Sequence, residues 1–299
     1  MDRLQAMTVF VAVAEEEGFA PAARRLALSP PVVTRAVAAL EERIGTRLLH
    51  RTTRNVRLTE AGARYLEDCR RILSEIEEAE ETAAGSHREP QGQLAVTASV
   101  LFGRMYVAPI LLDFLGRHPR VSARTLFVDR VVNLMEEGLD VAVRIAHLPD
   151  SGMTALKVGS VRRLVCASPA YLAEHGIPQD PGDLVRHRTI AFQGVTPSPE
   201  WSFRDGHSEV RVRPSPRLEV NTAEMAITAA VQGHGLTRVL SYMVAPELAA
   251  GRLKIVLAEH EPAPVPIHLV HREGRQASAR VRAFVDFAAR RLRADGSIN

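Results

Sequence analysis

The chain has 299 residues, of which 46% are hydrophobic, 24% charged and 5% aromatic, close to the averages of folded domains. That apolar content excludes bulk disorder, and a count of two cysteines excludes a disulfide scaffold. No apolar run approaches the roughly 18 residues of a membrane helix, and the formal net charge of +3 excludes little until its placement is read.

The start of the chain, MDRLQAMTVFVAVAEEEGF, turns acidic after its apolar stretch. It lacks the basic opening and small-residue cleavage site of a signal peptide, so a cytoplasmic protein with no membrane partner is expected. At about 150 residues per domain, the length predicts two domains. Lys157 and Lys254 are the only lysines among 38 Lys and Arg. A basic block of Arg24, Arg25, Arg35, Arg43, Arg47, Arg51, Arg54 and Arg57 is opposed only by Glu41 and Glu42. The sign then reverses, with Glu67, Asp68, Glu75, Glu77, Glu78, Glu80 and Glu81 opposed by Arg70 and Arg71. A basic head followed by an acidic helical stretch suggests a polyanion-binding module on a solvated stalk.

Leu4, Met7, Val9, Phe10, Val13 and Ala14 recur at helical spacing and predict a first helix ended by Gly18. Ala22, Ala23 and Leu26 mark a short second helix with Pro21 in its first turn. Ser29-Pro30 opens a third, with Ser29 as cap, Pro30 at the first position, and Val33, Val37, Leu40 and Ile44 on one face. Thr34, Arg35 and Ala38 take the opposite face. Two helices, a tight turn and a third helix with polar groups near its start form a helix-turn-helix pattern. Small residues at Pro30 and Pro31 allow close approach to bases, Arg35 suits guanine, and the Thr34 methyl suits thymine. An ordinary solvated helix face fits those four residues equally well. Leu48-Leu49-His50 and Val56-Arg57-Leu58 then read as two short strands around Arg51-Thr52-Thr53-Arg54-Asn55, a turn suited to phosphate or minor-groove contact.

The stretch AARRLALSPPVVTRAVAALEERIGTRLLHRTTRNVRLTEAG, residues 22–62, carries the pattern L-S-x-x-x-V-[ST]-R-x-[IV]-x-x-L-E and its continuation R-L-L-x-R-T-x-R-x-x-x-L-T-x-x-G. It resembles the winged helix-turn-helix head of LysR-type transcriptional regulators. The resemblance implies that Pro30, Pro31, Thr34 and Arg35, with Arg24 and Ser29, contact double-stranded promoter DNA, and that Arg51, Thr52, Thr53 and Arg54 form the wing. Ala20 stands where the family usually opens its second helix with Ser or Thr, and Pro30 and Ala36 replace frequent Gln residues, leaving fewer amides to read adenine.

Thr59 is expected to cap a long helix to about residue 84, with Leu66, Cys69, Leu73, Ile76 and Ala83 near a three-four repeat. The pattern spans about three heptads and fits either a paired helix or one packed on its own domain. The resemblance implies pairing, as a homodimer or a tetramer, on an interrupted palindrome. It also implies RNA polymerase as a partner.

Residues 85–91 read as a hinge. Beyond it, LAVTASV, VSARTLFV and DVAVRI are expected as parallel strands, with helices near 102–117 and 131–137. RRLVCAS, a helix from Ser168-Pro169, strands near 189–192, 201–203 and 210–213, RLEV, a helix at 222–231, GLTRV, IHLVH and a closing helix at 276–293 follow. The expected architecture is therefore α/β overall. It comprises a winged helix-turn-helix at 1–58, a linker helix at 59–84, the hinge, and a two-subdomain effector domain at 92–299. Subdomain I is placed at 92–161 and 267–299, and subdomain II at 162–266. E-E-G-L-D-V-A-V-R at 136–144, C-A-S-P-A-Y-L at 166–172 and G-H-G-L at 233–236 resemble the periplasmic-binding-protein-like sensor of the same family.

Ligands of such folds bind at the carboxyl ends of strands, near helix N-termini. Thr97, Ser99, Asp129, Arg144, Asn221 and Thr222 are accordingly placed around a cleft, with Phe102 and Trp201 as apolar walls. For each, helix capping or a surface role is the competing reading. The resemblance implies a small-molecule effector, with a carboxylate as the group considered.

No catalytic, metal or cofactor site is expected. G-x-S-x-G, Walker and H-E-x-x-H motifs are absent, and Gly233-His234-Gly235 lacks the rest of a dinucleotide fingerprint. His268 and His271 lie three apart in a predicted strand and so point to opposite faces. Cys166 sits in an apolar strand. A cytosolic solute-binding protein or an enzyme built on the α/β domain is the alternative function.

Overall fold

The computed structural model describes residues 2–51, 56–83, 89–149, 152–194, 199–206, 208–271 and 277–298. The chain divides into two compact units, Met1–Arg88 and Glu89–Asn299.

In the first unit, helices α1 (Arg3–Glu15), α2 (Phe19–Arg25) and α3 (Pro30–Ile44) precede strands β1 (Leu49–Arg51) and β2 (Val56–Leu58) and helix α4 (Glu60–Ala83). The strands pair antiparallel, Leu49 with Leu58 and Arg51 with Val56. Phe10, Val13, Ala22, Val33, Val37 and Leu40 form one core with Leu66 and Cys69 of α4. Gly18 does not end α1. Glu17 takes the left-handed position at φ 50°, the Gly18 N–H reaches the Val13 carbonyl at 3.2 Å, and Gly18 itself is extended and caps α2. Ala20 therefore lies inside α2 and is not its cap. The end of α2 repeats this device with Ala27 at φ 53° and a 2.9 Å bond from the Leu28 N–H to the Ala23 carbonyl. Ser29 caps α3 by position, but its side chain accepts no capping bond. Ile44, expected on the apolar face, is 39% exposed because α3 runs past the core.

Two side chains and one glycine fasten the wing. Glu41 Oε1 accepts the N–H groups of Leu48 and Leu49 at 2.9 and 3.1 Å. Thr59 caps α4 through the Gly62 N–H at 2.8 Å and donates to the Arg47 carbonyl at 2.8 Å. Gly62 is required because a Cβ there would stand 1.9 Å from the Leu48 carbonyl oxygen. These contacts give the L-E and L-T-x-x-G parts of the motif a structural origin.

The second unit holds two five-stranded sheets. The first comprises β3 (Gly92–Ala98), β4 (Val121–Phe127), β5 (Val141–Ile145), β6 (Thr154–Val161) and, late in the chain, Val265–His271, in the spatial order β4, β3, β5, the late strand, β6. β3 runs parallel to β4 and β5, whereas the late strand is antiparallel to β5 and β6. Helix α5 (Val100–Phe102), a π-turn (Gly103–Val107) and helix α6 (Ala108–Arg117) follow β3 as one rod. Gly103 allows the Phe127 ring to sit against this rod, since a Cβ would come within 2.5 Å of it.

The helix expected near 131–137 is absent, and turns replace it. Asn133 Oδ1 accepts the Met135 N–H at 3.0 Å, a local bond that competes with helix formation, and Val131 and Val132 are poor helix formers. The E-E-G-L-D motif serves this corner. Asp140 Oδ2 accepts the Ala95 N–H at 2.8 Å, while Glu137 holds Arg130 through two bonds of 2.7 and 3.1 Å.

β7 (Arg163–Ala167), α7 (Pro169–His175), a 3₁₀ turn (Pro181–Arg186) and β8 (Thr189–Phe192) begin the second lobe. A separate hairpin, β9 (Trp201–Asp205) and β10 (Ser208–Val212), comes next. β11 (Pro216–Val220), α8 (Ala223–Val231), β12 (Leu236–Leu240), α9 (Ser241–Ala249) and β13 (Lys254–Val256) complete it. The sheet order is β11, β8, β12, β7, β13. The late strand of the first sheet, β14 (Val265–His271), and α10 (Ala279–Arg293) close the unit. The chain thus crosses between lobes twice, from β6 to β7 and from β13 to β14. Ser168 caps α7 through the Tyr171 N–H at 3.3 Å, which accounts for S-P-A-Y. Strands β6 and β13 and helix α9 had no counterpart in the sequence reading.

Candidate functional site

The head presents one face of α3. Its other face, Val33, Ala36, Val37 and Leu40, is buried in the three-helix core. Ser29, Pro30, Pro31 and Arg35 are exposed and Thr34 is half-buried. Thr34 donates its hydroxyl to the Pro30 carbonyl at 3.0 Å, and Arg35 Nε reaches the Pro31 carbonyl at 3.4 Å. Ala36 is buried and is therefore no substitute for a base-reading amide. Arg24 is exposed on α2. Thr52, Thr53 and Arg54 lie outside the described residues, while the backbone of Arg51 ends β1.

The three helices are locked at one corner. Glu15 of α1 accepts Arg25 of α2 at 2.8 Å and Arg70 of α4 at 3.0 Å. Burial opposes ionisation of Glu15, but the two guanidinium bonds outweigh it and hold the carboxyl below its usual range. In α4, burial pushes the Cys69 thiol up to about 11, so it packs as an apolar group. Leu66 and Cys69, whose three-four spacing fitted either a paired helix or one packed on its own domain, join the head core.

The second unit contains a cleft of about 1330 Å3 between its two sheets. Thr97, Ser99, Asp129, Arg144 and Trp201 line it; Phe102, Asn221 and Thr222 do not. Phe102 is fully buried, stacked on Tyr106 at 4.7 Å and edge-on to Tyr242 at 5.2 Å. Asn221 and Thr222 are exposed, and Thr222 caps α8 through the Met225 N–H at 3.4 Å. Asn221 and Thr222 lie outside the cleft because an N-cap pattern marks where a helix starts and not which cavity it faces, and Phe102 because its ring packs on Tyr106 and Tyr242 instead.

Among the lining residues, Thr97 spends its hydroxyl on the Leu126 carbonyl at 2.6 Å. Asp129 Oδ1 accepts the Val100 N–H at 3.0 Å, and burial pushes its carboxyl up. Arg144 donates to the Val132 carbonyl at 2.6 Å, so this half-buried group fixes the segment after Asp129. Arg163 and Arg238, absent from the sequence reading, also line the cleft. The guanidinium of Arg238 lies 5.1 Å from the Trp201 ring centroid. The available signal was an arginine at each of two strand positions otherwise surrounded by apolar residues, RLVCA and LTRVL. Cys166 is buried at 0% exposure and its thiol is pushed up to about 12, with no nucleophilic environment. Among the described residues there is no group of three or more His, Cys, Asp or Glu able to hold a metal, and no helix long and apolar enough to cross a membrane.

A helix-turn-helix head joined in one chain to a two-lobed α/β domain with a central cleft defines a ligand-responsive DNA-binding regulator. Family models agree. Residues 4–63 match the bacterial regulatory helix-turn-helix protein, lysR family, and residues 87–293 match the LysR substrate binding domain. The chain belongs to the LysR family of transcriptional regulators. An HTH-type transcriptional regulator of Xanthomonas campestris pv. campestris (strain 8004) is 39% identical over 292 residues, covering 96% of this chain and 85% of that protein. An HTH-type transcriptional repressor of Pseudomonas aeruginosa (strain UCBPP-PA14) is 35% identical, with 96% and 91% covered. The solved structure of CrgA, a LysR-type transcriptional regulator from Neisseria meningitidis, is 33% identical with a TM-score of 0.61, covering 96% of this chain and 98% of that one. The relatives and structural neighbours are regulators of transcription, and the function of this chain is effector-controlled, DNA-binding transcriptional regulation.

Proposed function

We propose that the protein acts in the cytoplasm as a homodimer, or as a pair of dimers, on interrupted palindromes in promoter DNA. The observation that carries this reading is the split of α3, with its core face packed into the head and its Ser29–Arg35 turn exposed. That turn enters the major groove, where Arg35 reads a base edge and Thr34 offers its methyl. Arg24 and the wing, Arg51, Thr52, Thr53 and Arg54, grip phosphate, which makes affinity fall with salt. The part of α4 beyond Leu73 pairs with a second copy, and two heads then meet two half-sites.

In the sensor, a small molecule held by Ser99, Asp129, Arg144 and Trp201 favours one arrangement of the two lobes. It acts only through its difference in affinity for the two states. That difference alters half-site spacing or bending and so the promoter's use by RNA polymerase. Genome-wide capture of DNA by the purified full chain, over a salt series, tests the reading. Enrichment of a few interrupted palindromes is expected, and their loss with rising salt. Capture without sequence preference at low salt would overturn it.

A further inference from the structure

The second lobe turns an unusual pair of charges toward the cleft. β7 and β12 are antiparallel neighbours, with Arg163 opposite Leu240 and Arg238 opposite Val165. Side chains two apart on a strand share a face, so Arg163 and Arg238 are diagonal neighbours on one face of this sheet. Both line the cleft beside Trp201. Arg238 donates to the Glu200 carbonyl at 3.3 Å and stacks on Trp201. Among the described residues the Arg163 side chain has no polar partner, and no carboxylate pairs with either group. The acidic residues of the cleft are engaged elsewhere. Asp129 accepts the Val100 N–H, Glu209 pairs with Arg211 at 3.2 Å, and Glu219 accepts Gln193 at 2.7 Å.

Two guanidiniums thus stand side by side on the cleft wall, Arg163 exposed and Arg238 half-buried, with no carboxylate beside them to balance the charge. Partial desolvation against the cleft wall lowers both guanidiniums, and Arg163 lowers Arg238 further. Like charges this close repel, and an anion between them relieves the repulsion. The guanidinium fork matches oxyanion geometry, and the Trp201 ring with Leu240 and Met243 supplies an apolar wall beside it. A cleft of about 1330 Å3 has room for an organic molecule around the charged end.

We propose that Arg163 and Arg238 form an anion subsite in the cleft, and that the effector is a small organic molecule carrying a doubly charged oxyanion end. This deepens the reading of the cleft as the effector site and rests on it. A dicarboxylate and a phosphate monoester share that chemistry.

Trp201 is the only tryptophan in the chain and lies under Arg238, so its emission reports the subsite directly. The full-length protein, in phosphate-free buffer of fixed ionic strength, is titrated with glutarate and with phenyl phosphate, and in parallel with glutaramide and phenol. A saturable change with glutarate or phenyl phosphate, and none with the uncharged pair, is expected; which of the two binds separates carboxylate from phosphate. Arg163→Gln and Arg238→Gln each weaken that binding tenfold or more, and Arg163→Lys, which keeps the charge and the packing stem, weakens it less. Equal responses to charged and uncharged probes, no response to either dianion, or unchanged affinity in both Gln variants would overturn the subsite. Operator capture by the same preparations is scored separately. A bound dianion that leaves capture unaltered upholds the subsite and counts against effector control through the cleft. Capture that responds only to an uncharged cleft ligand overturns the subsite and leaves that control standing.

Discussion

Individual side chains divide cleanly between support and contact. Glu15 supports, because it joins α1, α2 and α4 through Arg25 and Arg70. Its folded carboxyl lies below the unfolded value, so the stability it contributes is present above the unfolded value and lost as pH falls through the folded one. Glu15→Gln is therefore expected to lower the unfolding temperature of the head at neutral pH. The gap to the parent should close below about pH 4, and calorimetry across pH checks it. Arg35 is exposed and meets only the Pro31 carbonyl, at a long 3.4 Å. Arg35→Ala should weaken binding to a captured operator by about 1–3 kcal/mol while leaving scrambled duplex nearly unaffected. Fluorescence anisotropy with the two duplexes measures this, and equal losses on both would remove Arg35 from base reading.

At the scale of elements, close backbone approach and strained turns decide how the head is assembled. Helix α4 crosses the start of β1 so tightly that a Cβ on Gly62 would enter the Leu48 carbonyl. Gly62→Ala is expected to destabilise the head by about 1–3 kcal/mol, read by denaturant unfolding, because backbone and not a flexible side chain must move. At the end of α2 the opposite change helps. Ala27 holds φ 53°, a region that costs an L-residue about 1–2 kcal/mol, so Ala27→Gly should raise head stability by up to about 1 kcal/mol. No rise in the unfolding midpoint would mean that Ala27 is not strained there.

For the whole molecule, the proposed roles give the basic block of the head and the arginines of the cleft different anions. The proposed phosphate contacts at the wing would release counterions, so the logarithm of operator affinity should fall linearly with the logarithm of salt. Arg54→Ala should reduce that slope by about one unit, and an unchanged slope would contradict its phosphate contact. The cleft arginines should leave the slope unaltered, since they would meet a small ligand and not DNA.

Residues 22–62 were legible in advance because the head is local. Its helices are set by i, i+3, i+4 apolar spacing, and its wing follows directly in the chain, so Val33, Val37 and Leu40 could be assigned to the core from periodicity. The alternating α/β texture of the second unit was legible for the same reason. Other features lie beyond any local pattern. The replacement of the 131–137 helix by turns follows from the Asn133 bond to Met135 and the weak helical preference of Val131 and Val132. Leu66 and Cys69 carry a heptad-like spacing, yet the head core claims them, because periodicity identifies an apolar face without naming what covers it. The cleft depended most on tertiary structure. Ser99, Asp129 and Arg144 could be placed from strand ends, but Arg163 and Arg238 became neighbours only when β7 and β12, separated by some 70 residues of chain, paired antiparallel. Local sequence sets which elements form, whereas the register between distant strands decides which charges meet.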